Sequence, residues 1–259
     1  MIDRIFNSIP EGEIEKADEQ AYLISQGYSS GSCWEDLLQS KRILIVSEAG
    51  SGKTYECQNQ CKKLLDAGEP AFFLELASLA TGDFNDMLSL DEETRLAQWL
   101  SSQSEIATFF LDSYDELKLS RGSFEQALKR LQKLTAGRLD RARIIITTRP
   151  IPFDEKLVRR LLPIPSLPAS KPEVSGENFA QIAIHGEPEK TEVEKDKPAD
   201  WTTVALQPFS DEQIVDFARM QGVSDPEEML DDLKKRNALE FARRPQDLIE
   251  LSADWRDHK

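Results

Sequence analysis

Short apolar runs alternate with helical patterns through the middle of the chain. "RILIVS", "AFFLEL", "IATFFLD" and "RIIITTRP" are strand-length runs rich in Ile, Phe and Leu, bounded by polar or turn residues. Between them lie three helical stretches. One runs from Lys53 to about Asp66 and stops at Gly68. The second is "DEETRLAQWLSS", and the third is "SFEQALKRLQKL" with Ser123 as its N-cap. The strand runs are apolar throughout rather than on alternate residues, which predicts strands buried on both faces. With helices between them, they predict an α/β fold with a parallel sheet covered on both sides. Right-handed crossovers bring the loops at the carboxyl ends of such strands to one edge. The three most unusual loops follow Val46, Leu111 and Ile146, so all three are expected to converge there.

The flanking segments have a different texture. Residues 1–40 are polar and read as a lead-in, with a short helix at "WEDLLQS" after the turn-rich "SSGSC". The rhythm breaks again over residues 151–200. "HGEPEKTEVEKDKPAD" is charged and of low complexity, and lies between two candidate strands, "FAQIAI" and "TTVALQ". Its composition predicts a solvated, mobile hairpin tip over residues 186–200. After Pro208 the chain turns helical. Ser210 with Gln213, and Ser224 with Glu227, have capping-box spacing, and a third helix spans about Ala238 to Trp255 with an interruption near Pro245. The expected organisation is an α/β domain over 41–207 and a small helical lid over 208–259.

The chemistry begins at "SEAGSGKT", which follows a strand and opens a helix, as a phosphate-binding loop requires. Ser47, Glu48, Ala49, Gly50, Ser51, Gly52, Lys53 and Thr54 form the candidate cradle. Gly50 and Gly52 let the backbone bend and turn its amides toward an anion, and the helix start adds partial positive charge. Lys53 is expected to reach the β- and γ-phosphates, and Thr54 to hold Mg²⁺ through its hydroxyl. The strict pattern has glycine where Ser47 stands. In "FFLDSYDEL" a buried strand ends in Asp112, placed to bind Mg²⁺, with Asp115 and Glu116 following. A cation and a water to be polarised are reasons for three carboxylates to gather beside a nucleotide. One of Asp115 and Glu116 is expected to orient the attacking water. "IIITTRP" places Thr147, Thr148 and Arg149 at the end of a further strand, where Arg149 can sense the γ-phosphate.

Composition narrows the partners. The net charge is −15 over 259 residues, and a mean field of that sign repels nucleic acid and anionic membrane. No apolar run approaches the roughly 20 residues of a membrane span, and no signal-peptide pattern is present, so a cytoplasmic protein is expected. Cys57 and Cys61 fall in line with Leu64 and Leu65 on one helical stripe and read as core. No guanine-reading "NKxD" appears, which favours ATP. Two other functions fit the same loop: a nucleotide-dependent interaction module that never hydrolyses, and a small-molecule phosphotransferase, for which "LVRRLLP" would be the arginine-bearing lid.

Taken together, "SEAGSGKT", "FFLDSYDEL", "IITTRP" and "ARRPQDLIEL" resemble the NACHT branch of the STAND ATPases, signal-transduction switches related to AAA+ proteins. The resemblance covers roughly Trp34 to Trp255. Its most specific mark is Ser113, a small residue directly after the Mg²⁺ aspartate. It implies ATP or ADP with Mg²⁺ as ligands, slow hydrolysis, and a proline at Pro245 packed near the adenine. It also implies self-association, or effector and sensor domains outside this chain. The overall texture is most similar to bacterial NACHT proteins of antiphage defence. Relatives continue into a winged-helix domain, so the resemblance implies either an N-terminal piece of something larger or a minimal form.

Overall fold

The computed structural model describes residues 2–10, 13–14, 31–82, 87–112, 121–151, 154–164 and 201–258. Six strands form one sheet: β1 (Phe6–Ser8), β2 (Arg42–Val46), β3 (Ala71–Glu75), β4 (Ala107–Asp112), β5 (Ala142–Thr148) and β6 (Thr202–Leu206). Their order across the sheet is β1-β6-β2-β5-β4-β3. All neighbouring pairs are parallel except β1 with β6.

Alternation along each strand splits the core in two, because successive side chains point to opposite faces. Leu44 and Val46, Phe109 and Leu111, and Ile144 and Ile146 enter one cluster. Ile43 and Ile45, Phe110 and Ile145 enter the other. The first face is covered by α3 (Leu76–Thr81), α4 (Leu90–Ser101), α5 (Arg121–Leu134) and α6 (Glu155–Leu161), which contribute Leu79, Trp99, Leu128 and Leu157. Covering the second are α1 (Trp34–Leu37) and α2 (Lys53–Asp66), through Trp34, Cys57, Cys61 and Leu64. The Cys57–Leu64 stripe is therefore core, and both thiols are free.

The lid follows β6 as α7 (Asp211–Met220), α8 (Pro226–Lys235), α9 (Leu239–Ala242) and α10 (Pro245–His258). It has its own core around Phe209, Ile214, Met229, Leu233 and Leu248. Ser210 and Gln213 form the expected capping box. The next cap falls one residue later than its expected place. Asp225, not Ser224, accepts the Glu228 N–H, and Pro226 takes the first helical position, where its missing N–H does no harm. Likewise α5 starts at Arg121, so Ser123 lies inside its first turn rather than capping it.

The lead-in is more than a lead-in. β1 is an edge strand of the sheet, Phe6 is fully buried, and the Phe6 and Trp34 rings meet edge to face at 4.9 Å. Both edges of β6 are taken, by β2 on one side and β1 on the other. "FAQIAI" and residues 186–200 lie outside the described residues.

Candidate functional site

The loop after β2 is held from several sides. Ser47 extends the strand ladder by donating its N–H to the Thr148 carbonyl at 3.1 Å. Its buried hydroxyl pairs with that of Ser51 at 2.8 Å and closes the base of the loop. Among the described residues only Asn237 is a non-glycine with positive φ. Ser47 is therefore not in the left-handed region, and a serine can stand where the strict pattern has glycine. Gly50 (φ +76) and Gly52 (φ +92) are in that region and need to be glycine. At Gly50 a Cβ would also lie 3.0 Å from Gln246 Oε1. Glu48 and Ala49 are exposed at the tip. The Lys53 ammonium donates to the Ser47 carbonyl at 2.6 Å and the Glu48 carbonyl at 2.8 Å, so it lies across the loop.

The second motif meets the first at Asp112, which is 2% exposed. Its Oδ2 accepts from Thr54 Oγ1 at 2.7 Å, 58 positions away in sequence, and its Oδ1 accepts from Thr147 Oγ1. Strand order explains the meeting: β5 runs between β2 and β4, so Thr147 stands between the loop and the carboxylate. The residues fit Mg²⁺. An exposed hydroxyl and a carboxylate are hard oxygen donors side by side, and Mg²⁺ commonly takes one or two protein oxygens and completes its shell with water and phosphate. Among the described residues no cluster of three or more His, Cys, Asp or Glu side chains could hold a metal. Burial, and then the Asp112 charge, push the Cys57 thiol well above its ordinary range, which leaves it an inert packing neighbour.

Arg149 lies one residue past β5, at the same sheet edge, and is half-buried. It does not line the cavity beside the loop. Ser113, Asp115 and Glu116 lie outside the described residues.

That cavity, about 560 Å³, opens between the phosphate loop, the start of α2 and the lid. Its wall includes Ile2, Arg4, Lys53, Phe209, Phe217 and Pro245, and Tyr55, Met220 and Ile249 are exposed at its mouth. This is the size of an ordinary small-ligand site, and its wall mixes apolar side chains with polar ones, Thr54, Asn59 and Gln221 among them. Pro245 packs over the loop, with its Cγ 3.5 Å from where a Gly52 Cβ would stand. The next residue donates a free first-turn amide of α10: Gln246 N–H reaches the Gly50 carbonyl at 3.3 Å. Arg243 turns away instead. It bonds the Phe209 carbonyl at 2.7 Å and Asp211 at 3.1 Å, tying the lid to its own root. A larger groove, about 880 Å³, lies at the amino ends of β3 and β4 near Pro70 and Glu105, at the opposite sheet edge from these groups.

Two contributors were not legible in the sequence. Arg4 donates to the Ser51 carbonyl at 3.1 Å and to the Gln207 carbonyl at 2.6 Å, and its guanidinium lies 4.6 Å from the centre of the Phe209 ring. Gln246 covers Gly50. Both act on backbone atoms, which no residue spacing announces.

A central strand leads into a glycine-turned loop and a helix start. A second strand delivers a carboxylate to the hydroxyl of that helix start, and a third strand separates the two. The fold is that of the P-loop nucleoside triphosphatases. Among solved structures, the chain is similar to a DNA replication initiation factor (13% identity, 96% of this chain, 64% of that one, TM-score 0.45). It is also similar to a Walker-type ATPase of Pyrococcus abyssi (10%, 96%, 68%, 0.46) and to Saccharomyces cerevisiae Hsp104 with ADP (14%, 98%, 33%, 0.44). The chain thus spans about two thirds of the first two and a third of the last. No family model and no curated protein matches it. No helix among the described residues is long and apolar enough to cross a membrane.

Proposed function

We propose that the chain is an ATP-binding module that hydrolyses ATP slowly and acts as a nucleotide-controlled switch. The observation that supports this best is the Thr54–Asp112 hydrogen bond at 2.7 Å. Two motifs 58 positions apart meet where a metal-bound triphosphate needs oxygen ligands. Lys53 supplies the positive charge beside them, and Thr54 and Asp112 would hold Mg²⁺. When bound, the ion neutralises charge on the β- and γ-phosphates. The cavity between loop and lid, with Phe209, Phe217 and Ile249 in its wall and Pro245 over the loop, suits the base.

The finer reading is a NACHT-type switch of bacterial antiviral defence, cytoplasmic, working through self-association or through effector and sensor domains outside this chain. It rests on the sequence resemblance alone. Asp115 and Glu116 are the candidates for orienting water, and Arg149 for sensing the γ-phosphate.

Calorimetry with ATP and with ADP, each with and without Mg²⁺, tests the binding. Lys53→Ala should weaken ATP about ten- to a hundredfold, the worth of a lost charge-assisted contact. Unchanged affinity in a folded variant would end the phosphate-loop reading. Phosphate release that stops in Asp115→Asn/Glu116→Gln while ATP still binds would support hydrolysis by those carboxylates. The defence role is tested by phage plating on cells carrying the gene with and without Lys53→Ala. Equal plating would remove that role and leave the ATPase reading standing.

A further inference from the structure

The amino-terminal segment reaches three parts of the molecule with one face. Exposed Asp3 and Ile5 alternate with Ile2, Arg4 and Phe6, which face inward. Ile2 packs on the lid core and Phe6 enters the sheet core. Arg4, 6% exposed, sits between them against the phosphate loop. One of its terminal nitrogens holds the Ser51 carbonyl and the other holds the Gln207 carbonyl just past β6. The ring of Phe209, at the root of the lid, lies beneath the guanidinium carbon.

The Ser51 carbonyl belongs to the peptide that joins Ser51 to Gly52. That peptide is trans, as are all described, so its C=O and N–H point in opposite directions. A donor gripping the carbonyl therefore holds the Gly52 N–H pointing away from Arg4. Gly52, at φ +92 and without a Cβ, has the conformational freedom to let this peptide turn over. Something has to fix it. The neighbouring carbonyl, that of Gly50, is fixed by Gln246 N–H.

We propose that Arg4 is a positioning residue for phosphate binding: by holding the Ser51 carbonyl it aims the Gly52 amide at the β-phosphate, and by lying over Phe209 it sets the lid root against the same loop. This rests on the nucleotide-binding reading above and goes beyond it, because it makes a segment outside every motif part of the site. Arg4 touches no reacting atom in this role. Its effect should scale with the phosphate the loop cradles, not with the base.

The test compares ADP with AMP, by calorimetry or competition, on wild type, Arg4→Met and Arg4→Lys, with melting temperatures taken without nucleotide. Wild type should bind ADP; if it does not, the nucleotide reading falls and this inference falls with it. Given binding, Arg4→Met should lose about tenfold or more in ADP affinity, the scale of one hydrogen bond to a charged group, and less than about threefold in AMP affinity. Arg4→Lys should recover only part of the loss, since one ammonium cannot hold two carbonyls and lie over a ring. Equal losses for ADP and AMP would reduce Arg4 to general support of the fold and overturn the proposal. So would full recovery by lysine, which would mean that only charge matters, or unchanged ADP affinity in both variants. If Arg4→Met does not fold, Arg4→Lys alone decides: a loss confined to ADP upholds the proposal, and an equal or absent loss rejects it.

Discussion

Two buried arginines stand at opposite edges of the sheet, and they are used differently. Arg42 opens β2 at the amino edge and is fully buried. Its Nε donates to the Leu162 carbonyl, Nη1 to those of Lys41 and Ala142, and Nη2 to those of Leu139 and Pro163. Those are all the N–H groups a guanidinium has. Arg4, at the carboxyl edge, makes one carbonyl bond from each terminal nitrogen, while its buried Nε finds no partner. Burial lowers both to about 10, and the Glu56 charge partly offsets the effect at Arg4. Both therefore stay charged at neutral pH. The saturated arginine pins chain ends in place, joining the stretch after α6 and the turn before β5 to the start of β2. The unsaturated one faces a cavity and a loop whose orientation matters. Similar burial thus marks opposite tasks, and hydrogen-bond saturation tells them apart.

The largest effect should come from breaking the saturated member. Arg42→Met takes the guanidinium from two buried carbonyls, those of Leu162 and Ala142, while those of Lys41 and Leu139 keep the Ile144 and Ala142 N–H groups. At about 1–3 kcal/mol for each buried acceptor the cost is roughly 3–5 kcal/mol in sum. Scanning calorimetry should show a melting temperature lower by about 10 °C or more, while the folded fraction binds nucleotide as before. A variant that melts like wild type would erase the contrast between the two edges. Next, Thr147→Val removes a donor from buried Asp112 at the site edge. The expected cost is about 1.5–3 kcal/mol of stability, with a weaker response of nucleotide affinity to Mg²⁺. A change in melting with none in Mg²⁺ response would make the bond purely structural.

Ser47→Gly should cost less, and it restores the strict loop pattern. It removes the Ser51 hydroxyl pairing and adds freedom to the unfolded chain at a position that needs no positive φ. Together these should cost roughly 1–2 kcal/mol. Stabilisation instead would show that the loop is strained at Ser47. The smallest effect belongs to the lid surface. The Lys234 hydrogen bond, helped by the Arg243 charge, holds the Asp211 carboxyl below its ordinary range. The folded value lies below the unfolded one, so this stabilisation is complete above about pH 4 and is lost as pH falls through the folded value. Asp211 is 40% exposed, so Asp211→Asn should cost under about 1 kcal/mol at pH 7. The gap should narrow in melts as pH falls below about 4.

How much of this was legible follows from how local each feature is. The strands β2, β3, β4 and β5 declare themselves because each is an apolar run, and the phosphate loop because its chemistry lies in consecutive residues. β1 does not. "FNS" has neither length nor alternation, and it is a strand only because β6 offers it an edge. The cap at Asp225 lies one residue past its expected place because Ser224 and Asp225 are both good caps, and Pro226 decides between them. Arg243 and Pro245 are neighbours in one motif, yet one ties the lid to its root and the other packs over the loop. Sequence spacing cannot separate those roles. Arg4 was illegible because its partners are backbone carbonyls 47 and 203 positions away.

Those separations also set an order of events during synthesis. The phosphate loop leaves the ribosome before β6 does, and β1 must wait for β6, about 200 positions after it, before its edge is paired. Until then one side of β2 has no neighbour, and the guanidinium of Arg4 has no Gln207 to hold. Contacts of such long range form late and slowly. The nascent chain should therefore carry a complete phosphate-loop sequence well before it can grip a nucleotide. On the proposed function, ATP in the surrounding solution would then favour only chains whose two distant segments have already met.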